Sequence, residues 1–142
     1  MNRHTIRELT FKMIFGAEFN PVEELPGKFE LFFQNCDSEL TGRDEVIDEA
    51  DAEIVKKRAA DVIAHLDEID KNISDKAQGW TKERMGKAEL SLIRLAVYEM
   101  YFDESIPTGV AINEAVSLAK EYCDENGSSF VNGILSKLVP GK

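Results

Sequence analysis

Between Ala88 and Phe102 the chain is apolar almost all the way round a helix: Leu92, Leu95 and Phe102 fall on one side, Ile93, Ala96, Val97 and Met100 on another. A helix without a polar face belongs in a membrane or at the centre of a bundle. Glu89, Arg94 and Glu99 interrupt this run, and a bilayer span needs about 20 predominantly apolar residues. The bundle is left, and the rest of the chain must supply the helices that cover this one.

The remaining sequence reads as helices with punctuation and no strand-like alternation. Thr5 and Glu8 have capping-box spacing and predict a first helix from about Ile6, with Ile6, Leu9, Thr10, Met13 and Ala17 along one side and Pro21 ending it. A short apolar helix is expected after Pro26 and Gly27, carrying Phe29, Leu31, Phe32 and Phe33, followed by a polar loop from Cys36 to Arg43. From about Glu45 a long helix carries Val46, Ile47, Ala50, Ile54, Ala60 or Val55, Val62, Ile63 and Leu66, with a further turn reaching Ile69 and Ile73. Gly79 and Trp80 mark a boundary between halves, about 1–79 and 80–142; Thr81 to Met85 then predicts a short helix, with Gly86 a break. The expected architecture is all-α, two small helical subdomains packed as one domain.

In the last third, VAINEAVSLAK (Val110 to Lys120) places Ala111, Ala115, Leu118, Ala119 and Tyr122 on one stripe, with Pro107 and Thr108 as stop and N-cap. Asn126, Gly127, Ser128 and Ser129 predict a polar turn whose N–H groups and hydroxyls converge on one spot, a geometry that suits a phosphate. FVNGILSKL (Phe130 to Leu138) follows as the last helix.

The pattern IP-x-x-VAINEAV-x-LAK, then FVNGIL-x-K, resembles the C-terminal half of the NusB family of transcription antitermination factors, and ERM-x-KAELSLIRLAVYEM (Glu83 to Met100) looks like that family's central helix. The resemblance runs nearly unbroken from about Trp80 to Lys137. Before Gly79 it is carried only by Arg7, Glu8 and the run Phe11 to Phe19. It implies the same all-helical fold. It also implies a factor that binds the boxA element of nascent ribosomal RNA transcripts together with NusE, a ribosomal protein, and acts on the transcription elongation complex. Some ribosomal RNA methyltransferases carry a similar domain, but with no room for a methyl-donor fold before Lys142 the expectation is the free-standing factor. Self-association as a homodimer stays open.

Charge qualifies the RNA reading. A net charge of −10 and a pI near 4.7 argue against a general nucleic-acid coat, because nonspecific phosphate binding needs a basic footprint. Acid is concentrated from Asp37 to Asp75, whereas Arg3, His4, Arg7 and Lys12 crowd the first helix against Glu8 alone. Arg3 and Arg7, one turn apart, have the spacing to straddle a phosphate backbone; solvated charge at a frayed terminus is the plainer alternative. The resemblance favours RNA, since the family's first helix opens with an RNA-contacting arginine-rich segment. This chain has fewer arginines there, which predicts salt-sensitive binding that depends on a partner. The candidate RNA set is Arg3, His4, Arg7 and Lys12, with Asn126, Ser128, Ser129 and Phe130. For the second group the plainer alternative is a helix cap, with Phe130 in the core and Asn132 and Gly133 structural, the glycine permitting close helix contact.

Phe11, Phe15 and Phe19 recur at i, i+4, i+8 and read either as a second buried face or as a partner surface. By position, the resemblance places Phe15 and Glu89 at the NusE interface, and an acidic surface suits a basic ribosomal protein.

Enzyme chemistry finds no support. His4 and His65 have no metal-ligand spacing, and no phosphate-binding glycine motif occurs. Asp70, Asn72, Ser74 and Asp75 imitate the opening of a calcium loop, but Asp75 stands where that loop needs glycine and Thr81 where it needs glutamate. Asp48 and Asp51, one turn apart, are expected to repel on a solvent face. Cys36 and Cys123 read as free thiols in a reducing compartment, and the N-terminus has no signal-like apolar run. The expectation is a cytoplasmic, cofactor-free RNA-binding adaptor, the alternative an acidic helical scaffold that binds proteins only.

Overall fold

The computed structural model describes residues 3–17, 22–25, 27, 48–77 and 85–140. Six α-helices are found among them: α1 (Arg3–Ala17), α2 (Glu49–Ala64), α3 (Leu66–Lys76), α4 (Lys87–Phe102), α5 (Thr108–Tyr122) and α6 (Glu125–Lys137). A 3-10 turn spans Val22–Glu24, and no strand occurs among the described residues. The chain divides into two compact units, Met1–Ile63 and Ala64–Lys142. Gly79 and Trp80, the boundary expected from sequence, lie outside the described residues, as do Pro21, Phe29 to Phe33, the Cys36 to Arg43 loop and the Thr81 to Arg84 segment.

In the N-terminal unit, α1 starts at Arg3 rather than near Ile6. Thr5 and Glu8 sit inside the helix and are fully buried. An N-cap residue must have non-helical backbone, so helical Thr5 cannot form a capping box. Leu9, Met13 and Ile14 supply the apolar side, while Ile6 and Ala17 are only half-buried. Thr10 returns its hydroxyl to the Ile6 carbonyl at 2.7 Å, the usual way a helix accommodates a buried threonine.

Helix α2 is capped from outside: the Asp48 carboxylate accepts the Asp51 N–H at 2.7 Å. The pair expected to repel is therefore tied through a backbone bond, and an acid at this end also complements the helix dipole. The buried stripe is Val55, Ala59 and Val62, leaving Ala50 and Ala60 exposed and Ile54 45% exposed. The expected stripe was broader than the one the helix uses.

His65 breaks the helical run with a non-helical backbone (φ −105°, ψ 10°) before α3 begins. In the C-terminal unit its ring packs 4.3 Å from Phe102 and 6.1 Å from Tyr98. Helix α3 buries Ile69 and Ile73, and its acidic residues form no calcium loop: Asp70 receives a two-point hydrogen bond from Arg94, at 2.9 and 2.8 Å. Arg94 and Asp70 are both largely buried, where a fork-on-carboxylate pair satisfies both charges.

Helix α4 is the centre of this unit and packs on α3, α5 and α6. Every residue from Leu90 to Glu99 is buried, as its all-round apolar sequence predicts. Ala111, Ala115, Leu118 and Ala119 of α5 face inward, and Tyr122 remains 37% exposed. Pro107 itself occupies the α5 cap position and Thr108 is already helical, with no side-chain cap bond. The far end is closed by Tyr101, which accepts from Lys76 Nζ at 2.6 Å and donates to the Leu138 carbonyl at 2.7 Å.

Candidate nucleic-acid interface

On α1, Arg3 is exposed and His4 and Lys12 are half-buried. Arg7 retains only 7% of its accessible surface. A phosphate contact along a groove requires a guanidinium that reaches solvent, and Arg7 instead belongs to the buried polar set with Thr5, Glu8 and Thr10. Phe11 is buried, and Phe15, half-buried, stands 6.3 Å from it in a tilted pair. The aromatic row thus turns from core to surface along one helix. Phe19 lies outside the described residues.

The second candidate group departs from its expected form. Asn126, Gly127, Ser128 and Ser129 are not a turn before α6 but part of its first turns, and the cap is Asp124, whose carboxylate accepts the Gly127 N–H at 2.6 Å. Ser128 is buried and returns its hydroxyl to the Glu125 carbonyl at 3.0 Å. The hydroxyls therefore do not converge on one spot, and the N–H end of the helix is already engaged by the Asp124 carboxylate, with Glu125 a further acid in the first turn. What faces outward is Asn126, Ser129 and Phe130, the last 40% exposed rather than packed in the core. Helical spacing places Asn126 and Phe130 on the same side of α6, an apolar ring among short polar groups. Such a ring can stack on an unpaired base.

Gly133, expected to permit close helix contact, faces open space: a side chain there would meet nothing within 4 Å. The close approach is at Gly127, where a Cβ would lie 2.8 Å from Glu89 Oε1 and 2.8 Å from the Cys123 Cβ. Glu89, half-buried in the first turn of α4, thus touches the first turn of α6. A Cβ at Gly86, the α4 cap residue, would collide with Glu89 Oε2. The Cys123 thiol, free and half-buried, hydrogen-bonds Glu89. Burial first, then the Glu89 charge and this bond, and last Asp124, push the thiol up to about 11. No spacing rule in the sequence pairs Glu89 with Cys123 and Gly127. Only the helical glycine, conformationally costly without a reason, hinted at a close neighbour.

The described helices include none long and apolar enough to cross a membrane.

The NusB family model matches residues 4–140. The Transcription antitermination protein NusB of Agathobacter rectalis is 42% identical over 141 residues, covering 98% of this chain and all of that protein. The protein of the same name from Lachnoclostridium phytofermentans is 38% identical over 98% of this chain and 99% of its own length. Among solved structures, T. maritima NusB superposes with a TM-score of 0.75 at 29% identity, over 99% of this chain and 92% of that one. A chain of the structure of antitermination factors NusB and NusE in complex with dsRNA gives 0.73 at 27% identity, over 96% and 94%. With its all-helical fold, its buried α4 and a match along nearly its whole length, this chain belongs to the NusB family of transcription antitermination proteins.

Proposed function

We propose that the chain is a non-enzymatic, cytoplasmic RNA-binding antitermination factor. It pairs with the NusE ribosomal protein and holds the boxA element of nascent ribosomal RNA leader transcripts for the elongation complex. The observation that carries this reading is the likeness, over 96% of the chain, to a structure containing NusB, NusE and RNA. Exposed Arg3, with His4 and Lys12, supplies cationic contacts on α1. Asn126, Ser129 and Phe130 supply polar and stacking contacts on α6. Arg7 and Ser128 hold those surfaces from within, and Phe15 and Glu89 face the partner.

A body of charge −10 repels RNA at long range, and its few cations act within a Debye length of about 8 Å at physiological salt. A basic partner neutralises that field and adds phosphate contacts, so the heterodimer is the competent binder. The test is a salt-titrated gel shift of boxA RNA with the chain alone and with NusE. The expected result is tighter binding and a steeper decline of log affinity with log salt when NusE is present. Partner binding without any gain in RNA affinity would leave an acidic protein-binding scaffold and end the adaptor reading.

A further inference from the structure

Glu89 is surrounded by an arrangement that its position in the helix does not require. As the third residue of α4 it can reach back to its own cap, Gly86, and Oε2 lies against that glycine. Its other oxygen lies against Gly127 of α6, and the thiol at the end of α5 donates to it. Gly127 is buried within a helix, where glycine costs about 1 kcal/mol relative to alanine. The space left by its missing side chain is the space the carboxylate occupies. Three helix ends therefore meet on one acid: two glycines leave the room it occupies, and a thiol hydrogen-bonds it there. A carboxylate offers about four lone-pair directions, so these neighbours leave some for a cation arriving from solvent.

Resting on the reading of Glu89 as part of the partner-binding face, we propose that Cys123 and Gly127 are positioning residues that hold the Glu89 carboxylate pre-oriented for a cationic side chain of the partner protein. An unrestrained glutamate loses rotamer freedom when it is bound; one already fixed loses little. Cys123 is not a reactive centre in this role, because a thiol that stays protonated is a poor nucleophile.

Two measurements on the full chain test this. In a Cys36→Ser background, the Cys123 thiol is titrated by its thiolate absorbance with and without Glu89→Gln, a change that keeps the capping ability of residue 89. The expected result is a clear fall in the thiol's titration midpoint once the charge is removed; an unchanged midpoint would overturn the contact itself. NusE affinity is then measured for Cys123→Ala, Cys123→Ser, Gly127→Ala and Glu89→Gln, and for Cys123→Ala combined with Glu89→Gln. Cys123→Ala and Gly127→Ala are expected to weaken binding about fivefold, the value of one modest hydrogen bond, and Cys123→Ser to retain it within about twofold. In the Glu89→Gln background Cys123→Ala should then cost nothing further. An equal loss there would make Cys123 a general packing residue and overturn the proposal. A shifted thiol midpoint with full NusE affinity in Glu89→Gln would instead show that the contact is real and that the partner face lies elsewhere, which overturns the proposal through the reading beneath it.

Discussion

Helices α1 and α4 are both buried along most of their length, and they reach that state by opposite chemistry. The buried run of α4 is Leu90 to Glu99, mostly aliphatic, with Arg94 and Glu99 as exceptions. On α1 the buried residues include Thr5, Arg7, Glu8 and Thr10 beside Leu9, Phe11, Met13 and Ile14. Transfer of apolar surface from water is enough to bury α4. The polar residues of α1 gain nothing by transfer and are stable inside only while their hydrogen bonds and charges are matched. One helix should therefore tolerate changes of shape better than the other tolerates changes of charge.

The sharpest way to break that contrast is at the one place where α4 behaves like α1. Arg94→Met removes the fork on Asp70 and takes its guanidinium charge away from a largely buried carboxylate, an expected loss of about 3–5 kcal/mol in urea denaturation. Adding Asp70→Leu should recover most of it, because a well-packed apolar pair can replace a buried ion pair. A single variant as stable as wild type would show that water reaches Asp70 and that α4 is held by apolar contact alone.

On α1, Arg7→Glu is expected to lower stability by about 2–3 kcal/mol, whereas Arg3→Glu on the exposed side of the same helix should stay within about 0.5 kcal/mol. Arg3→Glu should still weaken RNA binding, which makes it the clean probe of the basic patch; Arg7→Glu confounds binding with folding. Equal stability losses at the two positions would remove the distinction between them. Tyr101→Phe deletes the hydroxyl between Lys76 and the Leu138 carbonyl, at an expected cost of about 1–2 kcal/mol read as an earlier urea midpoint. Phe130→Ala, like Arg3→Glu, should change stability by no more than about 0.5 kcal/mol. The same change is expected to cost RNA binding about 1–3 kcal/mol if a base stacks on the ring. Intact RNA affinity would remove Phe130 from the interface.

The two helices also differ in how far they could be read in advance. The burial of α4 was legible because residue type alone dictates it, and the inward stripe of α5 was legible for the same reason. The buried side of α1 was not: Arg7 and Glu8 are surface residues by type, and periodicity carries no information about the partners that a buried charge needs. The first turns of α6 misled in a related way. Asn126, Gly127, Ser128 and Ser129 are turn formers by composition, yet Asp124 supplies a better cap one residue before the helix and draws the whole group into it. Glycine was informative only in pairs of facts: Gly127 has a neighbour that needs its space, and Gly133 has none. That difference exists only once three helix ends have met.

The burial of α4 and the clamp on Leu138 together carry a consequence for how this protein is made. The most apolar helix leaves the ribosome before α5 and α6, and the carbonyl that Tyr101 grips belongs to Leu138, which follows α6. At about 5–20 residues per second, synthesis of the stretch from α4 to Leu138 takes several seconds. For that interval α4 lacks two of the three helices that pack on it, α5 and α6. A chain that stops before α6 therefore keeps part of the apolar surface of α4 exposed, the kind of surface that a holding chaperone binds.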